Sequence, residues 1–411
     1  MRYSILKSVN IAAALFLIFS AILHPMELSL EECLEISEKS SRDLKTAQNR
    51  ADTARASLLN STGSLLPRIG AGASYDVKDG SAMSYSVSAS QVLFSGFSLI
   101  NSLNAASENL KAAEADLSAA KSRAAYDAKA GFIRLYKSKE ALKLSEDIHG
   151  RRKIQSDIVR VKFDAGREHK GSYLTSMAQL MESEAEIKSA RRALELSGMR
   201  LASAIGLEGF PVITPKGAFE VKKTSAVEPD FIALAAKVPS VIRSQASLKS
   251  AEHEFNSSLG SFLPSVSLSG GYSRSGSEFI FENESWRLGL SISLPVFEGF
   301  SNVVRSSNSL RSFSNAETTA VQALNDAVLG LKEKWNVLKA AKDSYETASS
   351  FLEAAETRAQ IAQAQYSAGL LNYDSWIIIE NDLVRYKKSF LDAAAALYLA
   401  EADWELQKGE Y

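Results

Sequence analysis

Apolar and polar residues alternate in four short stretches of the chain and recur at helical spacing through most of the rest. In the first stretch Ile69, Ala71, Ala73, Tyr75 and Val77 share one side of an extended backbone, opposite Arg68, Gly70, Gly72, Ser74 and Asp76. The second sets Met83, Tyr85, Val87 and Ala89 against Ser84, Ser86, Ser88 and Ser90. The third sets Val266, Leu268 and Tyr272 against Ser265, Ser267, Ser269 and Ser273. In the fourth, Trp286, Leu288, Leu290, Ile292 and Leu294 oppose Arg287, Gly289, Ser291 and Ser293. A period of two puts each apolar set on one face of a sheet. Elsewhere Leu103, Ala106, Leu110, Ala113 and Leu117 recur at alternating spacings of three and four, the seam of a coiled coil. Proline is absent from Arg68 to Phe210 and from Val296 to Tyr411. Such stretches fit long helices, since an interior proline costs about 3 kcal/mol. Leu99 to Phe163 would span about 98 Å as one helix at 1.5 Å per residue. Gly131 and Gly150 weaken that helix locally, by about 1 kcal/mol each.

The pattern is written twice. Asn60-Ser61-Thr62-Gly63-Ser64-Leu65-Leu66-Pro67 matches Ser257-Ser258-Leu259-Gly260-Ser261-Phe262-Leu263-Pro264 at an offset of 197, which Gln48/Gln245 and Tyr75/Tyr272 keep. Phe94-Ser95-Gly96-Phe97-Ser98 matches Phe297-Glu298-Gly299-Phe300-Ser301 at an offset of 203. Phe163-Asp164-Ala165-Gly166 matches Tyr366-Ser367-Ala368-Gly369 at the same 203. The extra residues therefore fall between Tyr272 and Phe297, and the polar segment from Ser275 to Ser285 is expected to hold them as a loop. Each copy reads helix, strand, strand, long helix, turn, helix. The first repeat, 26–205, is expected to hold a helix over 30–62, strands over 67–77 and 83–94, a long helix over 99–163 and a helix over 172–205. Residues 206–230, rich in glycine and proline, form an irregular linker. The second repeat, 231–411, is expected to hold a helix over 233–258, strands over 264–273 and 286–296, a long helix over 300–366 and a helix over 373–408.

A soluble sheet on a protein core is the commoner cause of alternation. Here, however, the face opposite the apolar one is almost wholly serine and glycine. The stretches also have about the 9–11 residues that a tilted membrane strand needs. The expected lipid-facing set is Tyr75, Tyr85, Val87, Val266, Leu268, Tyr272, Trp286, Leu288, Leu290 and Ile292, with the aromatic members suited to the membrane interfaces. A sheet in hydrocarbon must close, because each unpaired backbone group costs several kcal/mol. Four strands cannot close a barrel, the smallest having about eight. Two chains would give eight strands around an interior filled by side chains; three would give twelve with room for a lumen. Small inward residues favour the lumen, and hence a homotrimer.

Composition excludes several alternatives. The 411 residues carry 47 basic and 48 acidic side chains, a formal net charge of −1, so no electrostatic feature calls for a nucleic-acid partner. Arg2 and Lys7 precede an apolar run from Val9 to Leu23, which reads as a secretory signal over 1–25. An uncleaved anchor is the alternative, because no small-x-small triplet precedes His24-Pro25-Met26. Past Met26 no apolar run reaches about 18 residues, so no transmembrane helix is expected. Cys33 is the single cysteine, which rules out an intrachain disulfide and suits a small buried residue. His24, His149, His169 and His253 lack metal-ligand spacing. Gly70-Ala71-Gly72 opens no helix, and Gly271 to Gly276 lacks the spacing of a nucleophile elbow. No enzyme activity, cofactor or metal is expected.

Three motifs add a resemblance: Leu28-Ser29-Leu30-Glu31-Glu32 at the start, a Leu-Pro before each hairpin (Leu66-Pro67, Leu263-Pro264), and the Phe/Tyr-x-Ala-Gly turn in each copy. In this order and doubling, the chain resembles the TolC-type outer-membrane efflux family over nearly all its mature length. The resemblance implies a mostly α protein with a membrane β-hairpin pair, assembled as a trimeric α-barrel in the periplasm plus a shared twelve-stranded β-barrel in outer-membrane lipid. It implies a passive exit duct for efflux or type I secretion, completed by a periplasmic adaptor and an inner-membrane transporter. The adaptor would dock at the periplasmic tip, at Phe163, Gly166, Arg167, Tyr366, Gly369 and Leu370. Some members narrow that tip with rings of aspartate. Here Ser375 and Ile378 hold those places, Asp374 is out of register, and Ser172 is the equivalent after Gly166. A carboxylate ring is therefore not implied, and an aperture is expected instead around Ser172, Tyr173, Tyr373, Asp374, Ser375 and Trp376, or the charges of Arg167 to Lys170. The competing readings are a periplasmic adaptor, with one helical hairpin between β-rich domains, and a coiled-coil structural protein. Neither accounts for two full copies with strands of membrane length.

Overall fold

The long proline-free stretches fold as helices and the alternating stretches as strands. The computed structural model describes residues 26–77, 82–217, 227–277 and 283–409; the expected signal segment lies outside the described residues. In chain order the elements are β1 (Met26–Leu28), α1 (Leu30–Ser40), α2 (Arg42–Gly63), β2 (Arg68–Asp76), β3 (Ala82–Ser95), α3 (Ser98–Asp164) and α4 (Lys170–Ala204). There follow β4 (Ile213–Pro215), α5 (Phe231–Ala235), α6 (Pro239–Leu259), a 3-10 turn (Gly260–Phe262), β5 (Ser265–Ser277), β6 (Asn283–Ser293), α7 (Ser301–Ser367) and α8 (Tyr373–Lys408). The helix α3 runs unbroken through Gly131 and Gly150.

Several bounds differ from the sequence expectation for local reasons. The helix expected over 30–62 is divided at Ser41, which turns to φ −61° and ψ 123°. Its Oγ accepts the Leu44 N–H at 3.4 Å and so caps the restart as α2. The Leu28-Ser29-Leu30-Glu31-Glu32 motif proves to be a capping box: the Glu32 N–H donates to Ser29 Oγ at 3.2 Å and the Ser29 N–H to Glu32 Oε2 at 2.7 Å. Pro239 begins α6, where its missing N–H costs nothing, and this separates α5 from it. Within the expected irregular linker, β4 pairs in parallel with β1, Met26 opposite Ile213 and Leu28 opposite Pro215. The loop expected from Ser275 to Ser285 is partly strand. β5 continues to Ser277 and β6 starts at Asn283, with Arg274 opposite Glu284 and 3.7 Å between their charged groups.

The described chain forms two compact units. One comprises residues to Lys45, Ala120–Phe231 and those from Leu329 onward; the other comprises Thr46–Ala119 and Ile232–Val328. In the first, Leu28, Cys33, Ala128, Phe132, Leu135, Leu201, Ala202, Ile205 and Ile213 make a buried core. Burial pushes the Cys33 thiol up to about 12, as expected of an inert packing residue. The second unit contains one antiparallel sheet in the order β2-β3-β5-β6. Along the part of α3 in that unit, Ala105, Glu108 and Ala115 are buried while the seam residues Leu103, Ala106, Leu110, Ala113 and Leu117 are half-buried.

Candidate functional site: the two-faced sheet and the helical tip

Strand register aligns the alternating residues into continuous rows. One row runs Ala71, Val87, Tyr272, Trp286, and the next Ile69, Ala89, Gly270, Leu288. Beyond them Leu268 faces Leu290, and Val266 sits between Phe94 and Ile292. Ala73, Tyr85, Arg274 and Glu284 form a mixed row toward the hairpin tips, with Tyr75 opposite Met83 one row further. All ten expected lipid-facing residues thus share one face. The reverse face carries rows such as Gly72, Ser86, Ser273, Ser285, with Oγ to Oγ contacts of 2.8 Å for Ser74/Ser84 and 2.9 Å for Ser273/Ser285.

A soluble sheet would bury the apolar face on its own core. Instead Trp286 is 79% exposed and Leu290 61%. Val266 and Tyr85 are half-buried, and every residue of β2 is exposed. Among the described residues the outer edges of β2 and β6 have no neighbour in the sheet.

The other candidate site lies in the first unit, where α3 turns into α4 and α7 into α8. Both turns are Schellman motifs. In the first, Gly166 adopts φ +70°, its N–H donates to the Phe163 carbonyl at 2.9 Å, and the Arg167 N–H donates to Lys162 at 2.8 Å. In the second, Gly369 adopts φ +78°, its N–H donates to Tyr366 at 3.1 Å, and the Leu370 N–H donates to Gln365 at 2.9 Å. A Cβ at either glycine would meet nothing within 4 Å, so backbone conformation alone selects glycine. The next helices also start alike: His169 Nδ1 accepts the Ser172 N–H at 3.2 Å, and Asn372 Oδ1 accepts the Ser375 N–H at 2.9 Å.

Beneath the turns, Val159, Ala362, Tyr366, Tyr373 and Trp376 form a buried cluster. Tyr366 and Trp376 stack with ring centroids 4.2 Å apart, and Phe163 stacks on Tyr173 at 5.2 Å. The Lys162 ammonium lies 3.8 Å from the Tyr366 ring centre and donates to that residue's carbonyl. The Tyr366 hydroxyl donates to Glu168 Oε2 at 3.0 Å; burial and then this bond to a carboxylate raise its pKa. Burial likewise raises Tyr373. Glu380, 1% exposed, accepts two hydrogen bonds from Arg151 Nη2, at 3.0 Å and 2.8 Å. Beside it the buried Arg152 donates to Gln155 at 2.9 Å and to Asn381. Burial lowers the Arg152 pKa, and the nearby Glu380 opposes that.

The expected tip residues thus divide. Gly166, Arg167, Gly369 and Leu370 are exposed, Phe163 is half-buried, and Tyr366 belongs to the core. Of the residues expected around an aperture, Asp374 is exposed, Tyr173 and Ser375 are half-buried, and Ser172, Tyr373 and Trp376 are buried within the chain. Trp376 is turned inward because its ring completes the stack on Tyr366. Sequence reasoning missed the Arg151, Arg152, Glu380 and Asn381 network. Its one signal is a carboxylate that closes the apolar run Trp376-Ile377-Ile378-Ile379. Among the described residues no group of three His, Cys, Asp or Glu could hold a metal, and no helix is long and apolar enough to cross a membrane.

A profile of the family described as outer membrane efflux protein matches residues 34–207 and 233–403, the two repeats in turn. The chain belongs to the outer membrane efflux protein family. It is a passive exit duct of the outer membrane with a periplasmic helical part, and it is not an enzyme. Solved structures share the fold at low identity. The CmeC outer membrane channel of Campylobacter jejuni superposes with a TM-score of 0.82 at 16% identity, over 93% of this chain and 85% of that one. VceC of Vibrio cholerae gives 0.81 at 17% identity, over 92% and 96%. The MtrE outer membrane channel of Neisseria gonorrhoeae, in its open state, gives 0.79 at 19% identity, over 92% and 88%. No curated protein matches the sequence.

Proposed function

We propose that three copies of this chain join their four-stranded sheets into one twelve-stranded barrel in outer-membrane lipid. Their helices form a periplasmic duct ending at the two Schellman turns. A periplasmic adaptor docks on that tip, at the surface offered by Gly166, Arg167, Gly369 and Leu370 with Phe163 behind them, and connects the duct to an inner-membrane transporter. Tyr366 acts there as the support under the second turn. Asp374 and Ser375, with Tyr173, are the accessible groups nearest to any aperture, while Ser172, Tyr373 and Trp376 hold their helices in place.

One observation carries this reading: a sheet with a largely exposed apolar face and, among the described residues, two unpaired edges, which neither water nor hydrocarbon would tolerate in a single chain. The test is the mass of the detergent-extracted protein, by light scattering corrected for bound detergent. Three chains per particle is the expected result. A detergent-free soluble monomer would remove the barrel and the duct together.

A further inference from the structure

The offsets of the internal repeat carry over to the sheet, residue by residue. Advancing β2 by 197 and β3 by 203 turns Arg68 opposite Ser90 into Ser265 opposite Ser293, and Ser74 opposite Ser84 into Gly271 opposite Arg287; both pairs occur. The central pairing of β3 with β5 has no such counterpart among the described residues. Its counterpart would join β6 to β2, the two free edges.

The second copy is also shorter where that counterpart is missing. On β3, residues 91–95 lie past the end of β2 and are held as strand by β5 alone, with Gln91 opposite Leu268, Phe94 opposite Val266 and Ser95 opposite Ser265. The equivalent residues 294–298 follow β6 and are not strand, because β5 ends at Ser265 opposite Ser293. Leu294 is 55% exposed, Val296 90% and Phe297 74%. Pro295 falls at the place of Val92, where the β3 ladder shifts register in a bulge, one of the few sheet positions that tolerate proline.

A backbone contact is missing in the same way. A Cβ on Gly96 would lie 2.3 Å from the Gly260 carbonyl oxygen, and one on Gly260 2.5 Å from that of Gly96. Their repeat counterparts Gly299 and Gly63 meet nothing within 4 Å, although Gly299 keeps φ +59° against +61° for Gly96. The second copy holds the conformation of a contact that it does not make within its own chain.

We propose that a second copy of this chain makes it: β2 of one copy pairs with β6 and residues 294–298 of the next, in the register of β3 with β5. The proposal rests on the trimeric reading above and specifies its seam. Applied to the β3–β5 pairs, the offsets place Leu290 opposite Tyr75, Ile292 opposite Ala73 and Phe297 opposite Ile69 on the apolar face. At the foot of the seam the neutral pair Ser95/Ser265 becomes Glu298 opposite Arg68. Both charges are exposed, and neither has an ion-pair partner among the described residues. Across the seam their opposite charges face each other. A slip by one residue would also turn every apolar side chain to the lumen.

The test uses the full chain extracted in detergent. With cysteines at Leu290→Cys and Tyr75→Cys, oxidation should join three chains covalently, because residues directly opposite have Cβ atoms about 4.5–5.5 Å apart. Ile292→Cys with Tyr75→Cys is the register control, a diagonal pair about 7–8 Å apart and too far for a disulfide. Arg68→Glu or Glu298→Arg alone should lower the temperature at which the three-chain particle dissociates, and the two together should restore it. Three-chain particles that fail to cross-link at Leu290/Tyr75, or that cross-link through the diagonal control, overturn the register. Failure of the charge exchange to rescue overturns the ion pair. A wild-type protein that light scattering finds as single chains overturns the trimeric reading itself.

Discussion

Trp286 on the sheet belongs to an alternating apolar row and Trp376 at the tip to an apolar run, yet the first is 79% exposed and the second fully buried. Around Trp376 the chain closes on itself: Tyr366 stacks on the ring, Val159 and Ala362 fill the space, and Glu380 finds Arg151. Around Trp286 the neighbours Tyr272 and Leu288 are themselves on an uncovered face. The tip is therefore a region whose stability one chain can supply. The sheet is a region that, on the proposed trimeric reading, takes its stability from lipid and from other copies. Substitutions in the two should fail differently, the first by unfolding and the second by loss of assembly.

The largest effects are expected at the tip. Glu380→Ala leaves Arg151 without its buried carboxylate beside the buried Arg152, and should cost about 3–5 kcal/mol; Trp376→Ala opens a large cavity at a similar cost of about 3–5 kcal/mol. Urea unfolding of the helical signal would register both, and a loss below about 1 kcal/mol, the ordinary effect of a point mutation, would mean the cluster is not self-sufficient. Next comes Leu290→Arg, which sets a charge against lipid for about 2–4 kcal/mol near the bilayer midplane. It should deplete the protein from the outer membrane, while Ser88→Arg on the opposite face should leave its amount unchanged. Depletion by Ser88→Arg with Leu290→Arg tolerated would show that the faces have been assigned the wrong way round.

A smaller effect is expected at the turns. Gly369→Leu forces an ordinary side chain into φ +78°, a strain of roughly 1–2 kcal/mol with no clash to add to it. Trimers should persist in the membrane and export should be lost, and the same holds for Gly166→Leu. Normal export by both variants would remove the turns from the docking surface. The smallest effect concerns Cys33, whose thiol stays protonated below about pH 12. A maleimide should therefore leave the folded protein unlabelled at pH 8 and react once urea exposes the core. Rapid labelling of the folded protein would show that this core opens.

Much of this was legible in the residues because it depends on neighbours in sequence. Period-two alternation identified the strands and both faces of the sheet, and the rows of the register kept every apolar member together. The repeated Phe/Tyr-x-Ala-Gly motif marked both helix turns, because a Schellman motif needs only a left-handed residue and the carbonyls just before it. The break at Ser41 was not legible, since a serine inside a helical pattern carries no mark of which neighbouring N–H it will cap. The inward turn of Trp376 was not legible either. Among Trp376, Ile377, Ile378 and Ile379 the apolar run surrounds the helix, and periodicity cannot say which side meets a partner.

By itself, then, the sequence determined the long helices, the four alternating strands with the two faces of their sheet, the duplication and the positions of the two tip turns, all of which follow from backbone sterics and spacings of a few residues. Tertiary structure alone decided that Tyr366, Tyr373 and Trp376 are core and that Glu380 is held by an arginine 229 positions away. It also decided that residues 294–298 stand without the strand that their first-copy equivalents have. Each of these depends on which distant segments are brought side by side, and the energy that selects among such arrangements is summed over the whole packed chain.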